Sequence, residues 1–178
     1  LGSEHTAFGT AVHEVCEKSV LGEIGLDDKS LHECFDNKFL EEIKTLTESN
    51  VELDKKLLKD MRGQARNLLH HIVPELKNHF TFYEVVSAEE KLYEPIDGSE
   101  KKYKGFIDLV IKTKDGRHHI IDWKTCSWGW DAKKRSDKYI TYQLTLYKKF
   151  WCEKYDVPPN MVETHFALLK RTAKKDNV

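Results

Sequence analysis

The first eighty residues carry apolar positions at helical spacing. In TAFGTAVHEVCEKSV (residues 6–20), Phe8, Val12, Val15 and Val20 recur about every third or fourth place, which predicts a helix. A loop through Gly22 and Gly25 follows, then a second helix over 28–47 and a third over 51–80. The third has Leu53, Leu57, Leu58, Met61, Leu68, Leu69, Ile72 and Leu76 as its stripe, with Pro74 expected to bend it or end it early. Past residue 80 the period changes. Tyr83 to Tyr93, Tyr103 to Thr113 and His118 to Trp123 read as strands, with turn signals at Asp97-Gly98 and Asp115-Gly116. Residues 138–155 return to helical spacing through Tyr139, Tyr142, Leu146, Phe150 and Trp151. Pro158-Pro159 stop that helix before a last strand, Val162 to Leu169. A helix between the third and fourth strands permits a crossover. The expected fold is therefore α/β, a central mixed sheet in the order α-β-β-β-α-β, flanked by helices and preceded by an added helical region.

Length and composition narrow the class. A chain of 178 residues fits one domain, 1–178, with a helical part over 1–80 and a sheet core over 81–171. No apolar run approaches the ~20 residues of a spanning helix, and no signal-peptide pattern is visible. Four widely separated cysteines form no C-x-x-C pair, which argues against a disulfide framework, a zinc ribbon or an iron–sulfur cluster. That usage fits a reducing, cytoplasmic compartment. Net charge is −1, but it is unevenly spread. Residues 1–60 hold 7 Lys/Arg against 14 Asp/Glu, whereas residues 112–150 hold 10 against 4. Either the molecule is polarised, with its basic stretch meeting a polyanion, or both regions are solvated helix faces.

Chemistry concentrates in GFIDLVIKTKDGRHHIIDWKT, residues 105–125. Asp108 and Asp122 each interrupt an otherwise apolar strand, where a carboxylate is costly unless paired or bound to a cation. Lys114-Asp115-Gly116 suits a three-residue hairpin loop closed by Gly116 in the left-handed conformation. Thr113 then faces Arg117, and Asp108 sits opposite Asp122 with side chains roughly 5 Å apart on one face. Lys124, two residues on, emerges on that face too. A two-residue turn would slip the register by one and separate the aspartates. Two such carboxylates suit Mg²⁺ or Mn²⁺, and a neighbouring lysine can hold an attacking water or offset charge on a phosphate. A simple salt bridge between Lys124 and the aspartates is the plainer alternative.

Between Lys124 and the next helix, Trp128 and Trp130 stand beside Lys133, Lys134, Arg135 and Lys138. Stacking surfaces with phosphate-neutralising charge are expected of a nucleic-acid channel. Two tryptophans packed under a solvated basic loop would read the same way. His70-His71 and His118-His119 have no acidic partner at ligand spacing and read as structural.

The run G-F-I-D, then I-I-D-W-K-T, then Q-L-T-L-Y resembles the PD-(D/E)XK nuclease superfamily. It is most similar to the RecB-type exonuclease branch, with its phage and CRISPR-associated members. Gly9-Thr10-Ala11-Val12-His13-Glu14 matches that branch's G-x-x-x-H-E helix, so four motifs span residues 9–147 in order. The resemblance implies a restriction-endonuclease-like core and a metal-dependent DNA exonuclease, acting in repair or recombination in a bacterial or phage-infected cell. It implies His13, Asp108, Asp122 and the Trp123 carbonyl as ligands to one or two Mg²⁺ or Mn²⁺ ions. Glu89 matches a less regular acidic position near them. Lys124 becomes the catalytic lysine, with Gln143 and Tyr147 orienting it or the strand. The iron–sulfur cysteines and helicase motifs of some relatives are missing. DNA is the expected partner, as single strands or duplex ends, with a homo-oligomer or a separate helicase as further partners. A catalytically silent nucleic-acid-binding module of the same fold is the alternative.

Overall fold

The computed structural model describes residues 2–178. Four helices come first: α1 (Glu4–Val20), α2 (Asp28–Glu48), α3 (Lys55–Leu68) and α4 (Ile72–Phe80). Then follow β1 (Tyr83–Pro95), β2 (Lys102–Thr113), β3 (His118–Cys126), a short α5 (Ala132–Arg135), α6 (Lys138–Tyr155) and β4 (Val162–Lys170). The expected order of elements holds. The chain groups into two compact units. One comprises the residues up to His79 with Lys124–Gly129 and Leu168–Val178, and the other comprises Phe80–Trp123 and Trp130–Ala167. The helical unit thus takes in Lys124–Gly129 and residues 168–171, which the sequence grouped with the sheet core.

Capping starts the helices of the first unit where side-chain oxygens can meet orphan amides. Ser3 and Thr6 form a capping box on α1, and Asp27 and Asp54 accept backbone N–H groups of α2 and α3. The core of this unit gathers around Phe8, Phe35 and Phe39, with ring centroids 5.0–6.4 Å apart. The single long helix expected over 51–80 is instead broken. Residues 51–54 lead in without helix up to the Asp54 cap, and a 3₁₀ turn at Leu69–His71 separates α3 from α4. Pro74 explains the position of the break. It has no N–H for the carbonyl of His70, so the turn tightens there. Pro74 then lies in the first turn of α4, where no N–H is missed, and α4 runs on to Phe80.

The four-stranded sheet has the order β1-β2-β3-β4 and is mixed. β1 pairs antiparallel with β2, and β2 with β3. The crossover through α6 sets β4 beside β3. α6 starts at the Asp137 cap and ends at Asp156 in the left-handed conformation, φ 52°. Its buried face is Leu144, Tyr147, Phe150 and Trp151, packed with Leu92, Ile107, Val110, Ile120 and Val162. Of the residues that marked its helical spacing, Phe150 and Trp151 are buried, whereas Tyr139, Tyr142 and Leu146 are exposed. Among the described residues no helix is long and apolar enough to cross a membrane.

Candidate functional site

The hairpin between β2 and β3 is built as its sequence required. Gly116 has φ +82° and closes the loop, with Gly116 N–H donating to the Thr113 carbonyl and Thr113 N–H to the Arg117 carbonyl. Lys112 pairs with His118 and Leu109 with Ile121. One step further, that register sets Asp108 opposite Asp122. On the other edge of β2, Ala88 pairs with Leu109 and Glu90 with Ile107, which sets Glu89 opposite Asp108. A bulge between Val85 and Ser87 shifts the β1 register by one residue and makes this match possible. Glu89, Asp108 and Asp122 therefore form a row of acids across three adjacent strands. Glu89 has φ 49°, a conformation that costs a non-glycine residue about 1 kcal/mol or more and concentrates at functional sites.

Asp122 is buried and Asp108 half-buried. Asp108 Oδ2 accepts the Trp123 backbone N–H at 2.7 Å, a charge-assisted bond that fixes the carboxylate beside β3. Tyr147 reaches in from α6, and Gln143 Nε2 donates to its hydroxyl at 2.9 Å. Burial first, then the charges of Asp122, Tyr103 and Asp108, push the Tyr147 phenol up to about 12, against a bond from Gln143 that lowers it. The phenol thus stays protonated at neutral pH. Because it accepts from Gln143, its own proton is directed elsewhere. Gly105 makes this placement possible, since a Cβ there would lie 3.0 Å from Tyr147 Cε1 and 3.0 Å from the Tyr103 hydroxyl. The glycine of G-F-I-D is thus a space for the tyrosine of Q-x-x-x-Y.

Three carboxylates with a neutral phenol offer only hard oxygen donors, and closely set carboxylates need a cation between them. This donor set fits a divalent ion of the Mg²⁺ type. The sheet unit therefore brings together Glu89, Asp108, Asp122, Trp123, Gln143 and Tyr147. His13 and Lys124 belong to the helical unit, His13 half-buried on α1 and Lys124 in the segment that leaves β3. A Cβ on Gly9, one turn before His13, would lie 3.4 Å from Oγ1 of Thr125, the residue after Lys124.

The basic segment divides. Lys133, Lys134, Arg135 and Lys138 are exposed, and so is Trp128, at 77% of its surface. Trp130 departs from expectation. It is buried, its ring centroid 4.9 Å from that of Phe166, its carbonyl accepts Arg135 Nε and Lys134 lies over its ring. It anchors the loop and offers no open stacking face. Exposed Tyr139 and Tyr142 continue the basic segment as an aromatic surface on α6. Of the two histidines at 118–119, His119 has an acidic neighbour that the sequence did not offer. His119 meets His165 and Glu163 of β4, ligand-type neighbours from a strand more than forty residues away that no local spacing could reveal.

The site is thus a row of acids on adjacent strands of a mixed sheet flanked by helices. The profile of the PD-(D/E)XK nuclease superfamily matches residues 2–177, and the chain belongs to that superfamily. Membership suggests a metal-dependent nuclease with nucleic acid as substrate, and such enzymes generally use divalent metals such as Mg²⁺. No curated protein matches the chain.

Proposed function

We propose that the protein is a metal-dependent deoxyribonuclease of the RecB-type branch that removes nucleotides from DNA ends. The observation that carries this reading is the acid row Glu89–Asp108–Asp122 with Tyr147 beside it. Asp108 and Asp122 hold one or two Mg²⁺ or Mn²⁺ ions, with Glu89 and the Trp123 carbonyl as further donors and His13 assigned by its motif. A divalent ion there offsets the repulsion among the carboxylates and supplies Lewis-acid charge to a phosphodiester.

The chain's own residues do the rest. Asp108, held by the Trp123 N–H, keeps its carboxylate oriented before substrate arrives. Lys124, two residues after Asp122 on β3, is a cation that orients the attacking water and offsets charge developing on phosphorus. Tyr147, held neutral and fixed by Gln143, presents a hydroxyl proton to the strand or to the lysine's surroundings. Lys133, Lys134, Arg135 and Lys138 neutralise phosphates, while Trp128, Tyr139 and Tyr142 offer faces on which bases stack.

Digestion of single- and double-stranded DNA, labelled at either end, in Mg²⁺, Mn²⁺ and EDTA tests the proposal. The expected result is stepwise release from one end that EDTA and Asp108→Asn both abolish. Tight DNA binding with no product under any metal would instead identify a silent binding module.

A further inference from the structure

The face of β3 opposite Asp122 carries a second cluster of ligand atoms. His119 lies three residues before Asp122, so the strand's alternation turns it to the other side of the sheet. There His119 Nδ1 lies 3.0 Å from His165 Nε2 and 3.7 Å from Glu163 Oε2, and His165 Nε2 lies 4.0 Å from Glu163 Oε2. Glu163 and His165 stand two apart on β4 and share a face. The two imidazoles are within hydrogen-bond distance, but the carboxylate oxygen lies beyond it from both. A cation satisfies all three. The point equidistant from atoms so spaced lies about 2.1 Å from each, the length of a zinc–imidazole bond.

The groups around the cluster are arranged for the same end. Thr113 Oγ1 lies 2.6 Å from Asp115 Oδ1, to which its single proton goes, and 3.1 Å from His119 Nε2. The hydroxyl therefore accepts from His119 Nε2–H, which leaves the lone pair on Nδ1, turned toward His165 and Glu163. Arg117 Nη1 lies 3.5 Å from Glu163 Oε1 and holds that oxygen outward, so that Oε2 faces the histidines. Arg117 Nη1 is itself tied to the Asn160 carbonyl at 3.0 Å. The Phe80 ring covers both imidazoles, with centroids 4.9 Å from His119 and 5.3 Å from His165. Outer partners that fix tautomer and orientation are typical of sites that bind metal.

We propose that His119, Glu163 and His165 form a second metal site for a borderline transition ion of the Zn²⁺ type, separate from the acid row. Two imidazole nitrogens and one carboxylate select zinc-like ions over Mg²⁺ and leave a fourth position for water or a further ligand. His119 is buried and Glu163 exposed, so the ion enters from the Glu163 side. The ion clamps β3 to β4, strands joined in the chain only through the long crossover by α6.

Zn²⁺ and Co²⁺ titration of the chelator-treated, full-length chain tests this. The expected result is one equivalent bound in protein carrying Asp108→Asn and Asp122→Asn, with visible d–d absorption from the Co²⁺ form and a Tm that rises with Zn²⁺. His165→Ala should weaken binding at least ~100-fold and remove the Tm rise, and Thr113→Val should weaken it about tenfold. Glu163→Gln, at an exposed position, serves as the second variant if His165→Ala fails to fold. Zinc affinity unchanged by Glu163→Gln and His165→Ala, or lost with the two aspartates, would overturn the site.

Discussion

Strand β3 presents opposite chemistries on its two faces. Toward α6 it carries Asp122, opposite Asp108, with Glu89 next in the row and Tyr147 beside them. On the other face it carries His119, grouped with His165 and Glu163 under Phe80. One face offers hard oxygen donors to a strongly hydrated ion, and the other offers imidazole nitrogens to a softer one. Strand alternation sets the two donor sets on opposite faces, three residues apart on β3. Their supports differ as well. The acids are ordered by a backbone amide and a helix from across the sheet, whereas the histidines are ordered by a turn threonine and an arginine of the hairpin.

Lys124→Ala gives the sharpest separation of the faces. Cleavage in Mg²⁺ should fall by about a thousandfold or more, as expected when a group aimed at developing charge is lost, while DNA binding in Ca²⁺ persists. Wild-type cutting by this variant would remove the lysine from the mechanism. Next in size is Trp130→Ala, which empties a buried place against Phe166 on the α6 side. It should cost about 3–5 kcal/mol in urea denaturation, whereas a change within a few tenths would mean that the ring is not part of the core.

Tyr147 ties the acid face to pH. Its phenol is pushed from the usual 10 up to about 12 in the folded chain, first by burial and then by Asp122, Tyr103 and Asp108. The folded chain therefore releases this proton later than the unfolded chain. The corresponding stability is full below pH about 10 and is lost as pH rises toward about 12, some 2–3 kcal/mol in all. Urea titrations across this range should show the loss in wild type and a flatter profile in Tyr147→Phe. An identical slope in both would mean that the Tyr147 phenol contributes no such stability. Smallest of the four, Trp128→Ala should weaken single-stranded DNA binding by about 1–2 kcal/mol without changing the urea midpoint, because the ring is exposed and stacking is its only task. Unchanged affinity would confine the nucleic-acid surface to α5 and α6.

The features legible along the chain are short-range ones. The hairpin register follows from a three-residue turn and one glycine able to adopt positive φ, so the pairing of Asp108 with Asp122 is legible in the sequence. The α6 boundaries and the Gln143–Tyr147 contact were legible for the same reason, since caps and i, i+4 spacing act within one or two turns. The tertiary structure decided what depends on which surfaces meet. Trp128 and Trp130 are two residues apart in one loop, yet Phe166 buries one of them while the other stays in water. Tyr139 and Tyr142 follow the helical spacing of α6 and face solvent, because α6 has Leu144, Tyr147 and Trp151 for the sheet. Glu89 joined the acid row only through the bulge at Val85–Ser87, which moved β1 by one residue. His119 acquired Glu163 and His165 only when the crossover returned β4 beside β3, a meeting across more than forty residues that spacing along the chain does not encode.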